Sequence, residues 1–152
     1  MFTGIVEEAG VVAAITPTKK SIALTVRAGA LARGVKLGAS VAVNGCCLTV
    51  VKISARGKFK LLRFDVLQES WMRTNLQFTR PGSVVNLERP LRADGELGGH
   101  FVTGHVDGVG KIIRWEKSGA DHVLEIAAPP EVCCSTSAAH PPRISSGAAP
   151  TA

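Results

Sequence analysis

Three stretches of this chain bring together side chains able to do chemistry. The first is Val43-Asn44-Gly45-Cys46-Cys47-Leu48-Thr49, where an Asn-Gly turn stands against two thiols and a hydroxyl inside an apolar run. Such a stretch could line a pocket; the plainer account is a β-turn with the cysteines buried as small hydrophobes. The second is Gly98-Gly99-His100-Phe101-Val102-Thr103-Gly104-His105. Its glycines permit close approach of a ligand or a crossing chain, and an imidazole can act as general acid or base near neutral pH. The plainer account is a linker with water-facing histidines. The third is Phe64-Asp65-Val66-Leu67-Gln68-Glu69-Ser70, continuing through Arg73-Thr74-Asn75-Leu76. Here a strand enters a short helix, whose first amides offer donors to anions and carbonyls. Ordinary capping by Asp65 or Ser70 is the plainer account. No P-loop, no G-x-G-x-x-G after a strand, no H-E-x-x-H and no G-x-S-x-G occurs.

The four cysteines form two adjacent pairs, Cys46-Cys47 and Cys133-Cys134. Zinc sites usually space their thiolates as C-x₂-C, and neighbours on a strand point to opposite faces, so no metal site is expected. In a reducing compartment these are free thiols. The first 100 residues hold 14 of the 18 basic side chains and 7 of the 12 acidic ones. The excess is densest from Lys52 to Arg63, with Arg56, Lys58 and Lys60 between and no acid. A solvated hairpin is expected there rather than a nucleic-acid surface. Five Phe, two Trp and no Tyr leave little for base stacking, and no recognition helix accompanies the charge. Apolar residues make up 45% of the 152, enough for a core. No apolar run approaches the roughly 20 residues of a membrane span. The opening Met1-Phe2-Thr3-Gly4-Ile5-Val6-Glu7-Glu8 lacks a basic region and turns acidic early, which argues for a cytoplasmic chain.

The elements that must position these stretches are mostly short strands. Six are expected: Gly4–Ile15, Ser21–Val26, Ser40–Val43, Leu48–Val51, Phe59–Leu67 and Ser83–Leu87. Asn44-Gly45 can take the positive φ of a tight turn. Arg27–Arg33 and Gln68–Asn75 read as short helices. Many short strands punctuated by turns indicate a closed barrel or a sandwich. There is also an internal echo. Thr3-Gly4-Ile5-Val6-Glu7-Glu8-Ala9-Gly10 aligns with Thr103-Gly104-His105-Val106-Asp107-Gly108-Val109-Gly110 at an offset of 100 residues. Lys111–Ile113 and His122–Ile126 then read as two more strands. A period this long marks a duplicated domain, not a solenoid unit. In the second copy a histidine, His105, replaces Ile5, which packing alone does not call for.

Four of these segments together resemble riboflavin synthase of the alpha-chain type. They are Met-Phe-Thr-Gly-Ile-Val at 1–6, Val-Asn-Gly-Cys-Cys-Leu-Thr-Val at 43–50, Asn-Leu-Glu-Arg-Pro-Leu at 86–91 and Gly-Gly-His-Phe-Val-Thr-Gly-His-Val-Asp-Gly at 98–108. The likeness covers residues 1 to about 130. It implies two similar six-stranded antiparallel Greek-key barrels and a C-terminal helix that organises a trimer. It implies that two molecules of 6,7-dimethyl-8-ribityllumazine exchange a four-carbon unit, giving riboflavin and 5-amino-6-ribitylaminouracil, with no metal or organic cofactor. By the resemblance, His105 is the acid/base candidate, while Ser40 and Cys47 contact or activate the substrate at C7. Gly4, Ile5 and Val6, with Cys47, Leu48 and Thr49, hold the pteridine ring. Asp65, Val66, Leu67, Gln68, Glu69 and Ser70 lie along the ring and ribityl chain. Gly104, His105 and Val106 form the matching segment of the second repeat, at the seam between barrels.

The second repeat stops after its first hairpin, and the C-terminal helix of the family has no counterpart. The expected layout is therefore an all-β chain with one lumazine-binding barrel at 1–99, a partial second repeat at 100–130 and a non-family flexible tail at 131–152. Turnover is expected to be impaired, which leaves a non-catalytic lumazine- or flavin-binding module, like the fluorescent lumazine proteins, as the alternative. Homo-oligomers are expected, a trimer as in the family or a dimer or other state here, with neither nucleic acid nor membrane as partner.

Overall fold

A computed structural model of the protein describes residues 1–130, so the tail expected at 131–152 lies outside the described residues. The chain divides into two compact units, Met1–Val106 and a second beginning at Asp107.

The first unit holds six strands: β1 (Glu8–Pro17), β2 (Ser21–Ala28), β3 (Ser40–Val43), β4 (Cys46–Arg56), β5 (Phe59–Leu67) and β6 (Val84–Glu88). Each pairing is antiparallel, and the order β1-β2-β5-β4-β3-β6 closes on itself through β6 and β1. β3, β4 and β5 follow one another as hairpins. β2, linked to β3 by a longer connection, returns to lie beside β5, which is a Greek key. Closure leaves no open strand edge. The all-β, six-stranded antiparallel barrel expected from the strand pattern is what forms.

Alternation along the strands fills the barrel. Val12, Leu24, Val26, Val41, Val43, Val50, Leu62, Phe64, Val66 and Leu87 point inward and are almost fully buried, joined by Leu31, Ala32 and Leu76 from the connections. Each buried Val, Leu or Phe contributes about 1.5–3 kcal/mol through removal from water. The β3–β4 turn sets which residues face out. Asn44 and Gly45 have φ of 49° and 81°, the two positive values of a type I′ turn. That turn pairs Val43 with Cys46 and Ala42 with Cys47, so Cys46 enters the core and Cys47 faces away from it.

Four elements differ from expectation. Gly4–Glu7 is not strand: Gly4 turns at φ 82°, and the Glu88 carboxylate takes the Thr3 and Gly4 amides that a ladder would otherwise use. Arg27–Arg33 is not a helix. Arg27 and Ala28 stay in β2 opposite Leu61 and Lys60, and Ala28 is buried there. The Glu8 carboxylate binds the amides of Gly29 and Leu31, leaving one 3₁₀ turn at Leu31–Arg33. Finally, β4 extends to Arg56, and Gly57 (φ 61°) turns the basic stretch into the β4–β5 hairpin. The helix expected at Gln68–Asn75 is shorter: α1 spans Gln68–Met72, and a separate 3₁₀ turn follows at Asn75–Phe78.

The second unit contributes one antiparallel hairpin, β7 (Lys111–Ser118) and β8 (Asp121–Ala127), turning at Gly119. Its register copies that of β1–β2 at the offset of 100. Val12 pairs with Val26 and Ile112 with Ile126; Ile15 pairs with Leu24 and Trp115 with Leu124. Even the bulge is repeated, at Ala13 in one and Ile113 in the other. The echo seen over eight residues therefore continues through a whole hairpin.

Candidate substrate site

The register of β3 and β4 puts Ser40 opposite Thr49 and Ala42 opposite Cys47. Because successive side chains alternate, Ser40, Ala42, Cys47 and Thr49 share the barrel's outer face while Val41, Val43, Leu48 and Val50 fill the inside. Ser40 and Cys47 are half-buried and Thr49 is exposed. Leu48 and Val66 belong to the core, so only their backbones can reach a ligand.

The segment around Gly104 is tied to this face. The Cys47 amide donates to the Gly104 carbonyl at 2.8 Å. Gly104 is buried with φ 79°, and a Cβ there would stand 2.9 Å from Cys47 Cβ and 3.1 Å from the Phe2 ring. Only glycine fits such a turn without strain. His105, the next residue, is thereby held close to the Cys47 strand with its side chain in the open, and its amide donates to Thr103 Oγ1 at 3.4 Å. The same small turn occurs at Thr3-Gly4-Ile5, where the Ile5 amide donates to Thr3 Oγ1 at 3.2 Å and Gly4 has φ 82°. Ile5 and Val6 are exposed.

Asp65 and Leu67 face outward from the end of β5, and the Asp65 carboxylate accepts from Arg63 at 3.2 Å. Gln68 and Glu69 are exposed, and Glu69 pairs with Arg73 at 3.4 Å. Neither Asp65 nor Ser70 caps α1, whose N-cap is Leu67; Thr74 caps the next turn instead and donates to the Ser70 carbonyl.

Beside Ser40 and Ile5 opens a groove of about 570 Å³ whose other wall includes Glu7, Glu88, Arg89 and Leu91. That volume lies in the range of small-molecule sites. Cys47, His105 and the Asp65–Ser70 stretch are not among its walls. Burial pushes the Glu7 carboxyl up, but the hydrogen bonds and charge of Arg89 outweigh this and hold it below the usual carboxylate range. Burial, with the neighbouring Cys47 thiol adding to it, pushes the Cys46 thiol up, which suits an inert core cysteine. Glu7, Glu88 and Arg89 were not singled out from sequence. The Asn86–Leu91 motif was the available signal, because it holds a Glu-Arg pair inside an apolar strand end.

The fold is that of a closed six-stranded Greek-key barrel protein, followed by a hairpin that repeats the register of its first two strands. Residues 3–90 match the model of the family described as "Lumazine binding domain", and the chain belongs to that family. It is 46% identical to riboflavin synthase of Bacillus amyloliquefaciens over 132 residues, covering 87% of this chain and 60% of that protein. Against riboflavin synthase of Mycobacterium tuberculosis (strain H37Rv) it is 43% identical over 132 residues, covering 87% of this chain and 64% of the relative. The chain thus spans about three fifths of the length of these curated relatives. Among solved structures, LumP complexed with flavin mononucleotide matches at 30% identity and a TM-score of 0.73, over 86% of this chain and 71% of LumP. LumP complexed with 6,7-dimethyl-8-(1'-D-ribityl) lumazine matches at 28% identity with the same TM-score. The resemblance to riboflavin synthases read from the motifs is borne out.

The described residues contain no helix long and apolar enough to cross a membrane.

Proposed function

We propose that this chain is a protein of the riboflavin synthase type, whose first barrel holds one 6,7-dimethyl-8-ribityllumazine or riboflavin on the outer face of β3 and β4. The carrying observation is the hydrogen bond from the Cys47 amide to the Gly104 carbonyl, which keeps His105 beside a sheet face bearing Ser40, Cys47 and Thr49. In this reading Gly4, Ile5, Val6, Leu48 and Thr49 hold the ring by backbone and side-chain contacts. Asp65–Ser70 run along the ribityl chain, and Gly104–Val106 close the site from the second repeat.

The reaction needs two lumazines with opposite roles. One loses a proton from its 7-methyl group and becomes a carbanion delocalised over the ring. The other is attacked at an electrophilic ring carbon. Transfer of the four-carbon unit then leaves riboflavin and 5-amino-6-ribitylaminouracil, with all atoms of the two substrates recovered in the two products. His105 serves as the acid/base for the methyl proton; Ser40 and Cys47 bear on C7 of the ring held by the barrel. Holding two rings in one orientation supplies much of the acceleration such a step requires. No metal or organic cofactor takes part in this scheme. The protein works in the cytoplasm and self-associates in the same reading, as in the family's trimer.

Fluorescence titration with the lumazine tests the binding. Quenching or a spectral shift saturating at one ligand per barrel is expected; no change at high micromolar ligand overturns the reading. The chain spans about three fifths of the length of the curated riboflavin synthases, and little riboflavin formation is expected from it. Riboflavin produced at an ordinary enzymatic rate would show instead that the chain assembles both substrate sites.

A further inference from the structure

We propose that Glu88 is a positioning residue for the ring site, fixing both the Gly4–Val6 arm and, through Thr3, the segment that carries His105; this rests on the reading above. Glu88 is 8% exposed and is the one charged side chain buried among the described residues. Its carboxylate accepts from the Thr3 amide, from Thr3 Oγ1 at 2.7 Å and from the Gly4 amide at 3.2 Å. Thr3 Oγ1 in turn receives the Ile5 amide, so the acid, the hydroxyl and three successive amides form one connected set. The set is anchored on the buried acid, because a carboxylate left unpaired away from water is costly.

The reach of Glu88 goes beyond the arm. With Gly4 and Thr3 held, the Thr3 carbonyl is aimed to accept the His100 amide at 2.9 Å, and Phe2 exchanges two backbone hydrogen bonds with Val102 at 2.7 and 3.1 Å. From Val102 the chain runs directly to the Gly104 turn and His105. The sheet register completes the arrangement. Glu88 pairs with Ala42 and Ala42 with Cys47, so Glu88, Ala42 and Cys47 form one outward-facing row across β6, β3 and β4. The Thr3-Gly4 turn is anchored at one end of that row by Glu88. The Gly104 turn is anchored at the other by the Cys47 amide. Phe2 is fully buried between these turns, its ring close to Gly104. Glu88 need not touch a substrate to decide where Ile5, Val6 and His105 stand.

The test uses Glu88→Ala, Glu88→Gln and Thr3→Val in the whole chain, with lumazine as the fluorescent probe and backbone amide exchange as a second measure. Glu88→Ala is expected to weaken lumazine binding at least tenfold and to speed exchange at the amides of residues 3, 4, 5 and 100. The amides of the β2–β5 ladder should keep wild-type protection. Glu88→Gln, which keeps one acceptor oxygen, is expected to recover most of the affinity, and Thr3→Val to fall between. Wild-type affinity in Glu88→Ala, or losses that merely follow whole-barrel exchange in all three variants, overturns the proposal. Should the wild type bind no lumazine, the functional reading fails. Local exchange confined to residues 3–5 and 100 would then still establish what Glu88 holds, and unchanged exchange there would refute it.

Discussion

The two hairpins β1–β2 and β7–β8 have the same register, the same bulge and opposite surroundings. Val12 and Val26 are 1% and 0% exposed, while their counterparts Ile112 and Ile126 are 56% and 54% exposed. Leu24 lies in the core, and Leu124 is half-buried beside the tilted ring pair of Trp115 and His122. Register thus follows from local pattern and bulge, whereas burial needs four more strands. The turns that precede the hairpins repeat the contrast in reverse: Gly104 is buried against Cys47, while Gly4 is open, with only Val102 Cγ2 near the position of a Cβ.

The sharpest way to break this comparison is to truncate equivalent residues. Leu24→Ala is expected to cost about 2–5 kcal/mol, the range for core leucines. Ile126→Ala should change stability by about 0.5 kcal/mol or less, as at exposed sites. Urea unfolding of each variant checks this; a large loss for Ile126→Ala would mean that the face of β7–β8 is covered in solution.

A smaller effect separates the glycines. Alanine at either one is strained by roughly 1–2 kcal/mol because φ is positive. At Gly104 the new Cβ also meets Cys47 and the Phe2 ring. Gly104→Ala should therefore lower the melting temperature clearly more than Gly4→Ala, and should move His105 enough to alter the emission of bound lumazine. Equal effects on both readouts would remove the tether to Cys47 from the account.

The smallest effect concerns Glu7, the residue aligned with Asp107. In the folded protein Arg89 holds its carboxyl below the unfolded value, so folded Glu7 binds a proton less readily than unfolded Glu7. The pair's stabilisation is complete above the ordinary range near 4.5 and is lost as the pH falls below it. The Glu7 side chain is about one third exposed, so solvent screening keeps the contribution within about 1 kcal/mol. The stability difference between wild type and Glu7→Gln is expected to shrink from pH 6 to pH 3. A difference that grows on acidification contradicts the assigned direction.

Much of the barrel was legible in the chain because its signals are local. Alternation marked β2, and Asn44-Gly45 announced the turn that sends Cys47 outward. Where the reading missed, a distant group had intervened. Gly4–Glu7 has the composition of a strand, yet a carboxylate 84 residues away takes the Gly4 amide. Arg27–Ala30 has helical composition, yet pairing with β5 and the Glu8 carboxylate hold it otherwise. The same limit applies at the site. Ser40, Cys47 and Thr49 came from the family resemblance and share a face, whereas Glu88 was passed over because its role exists only once the arm folds back upon it.

What this sequence determined alone is the set of strands, the tight turn that orients the cysteines, and a duplication whose 100-residue period survives to the level of a single bulge. These rest on residue type and on neighbours within a few positions. What only the tertiary structure decided is which hairpin becomes core, where the N-terminal arm is pinned, and that His105 stands beside Cys47. Each of those depends on closing a barrel or meeting a partner tens of residues away, and burial and buried hydrogen bonding take their energies from that closure rather than from local preference.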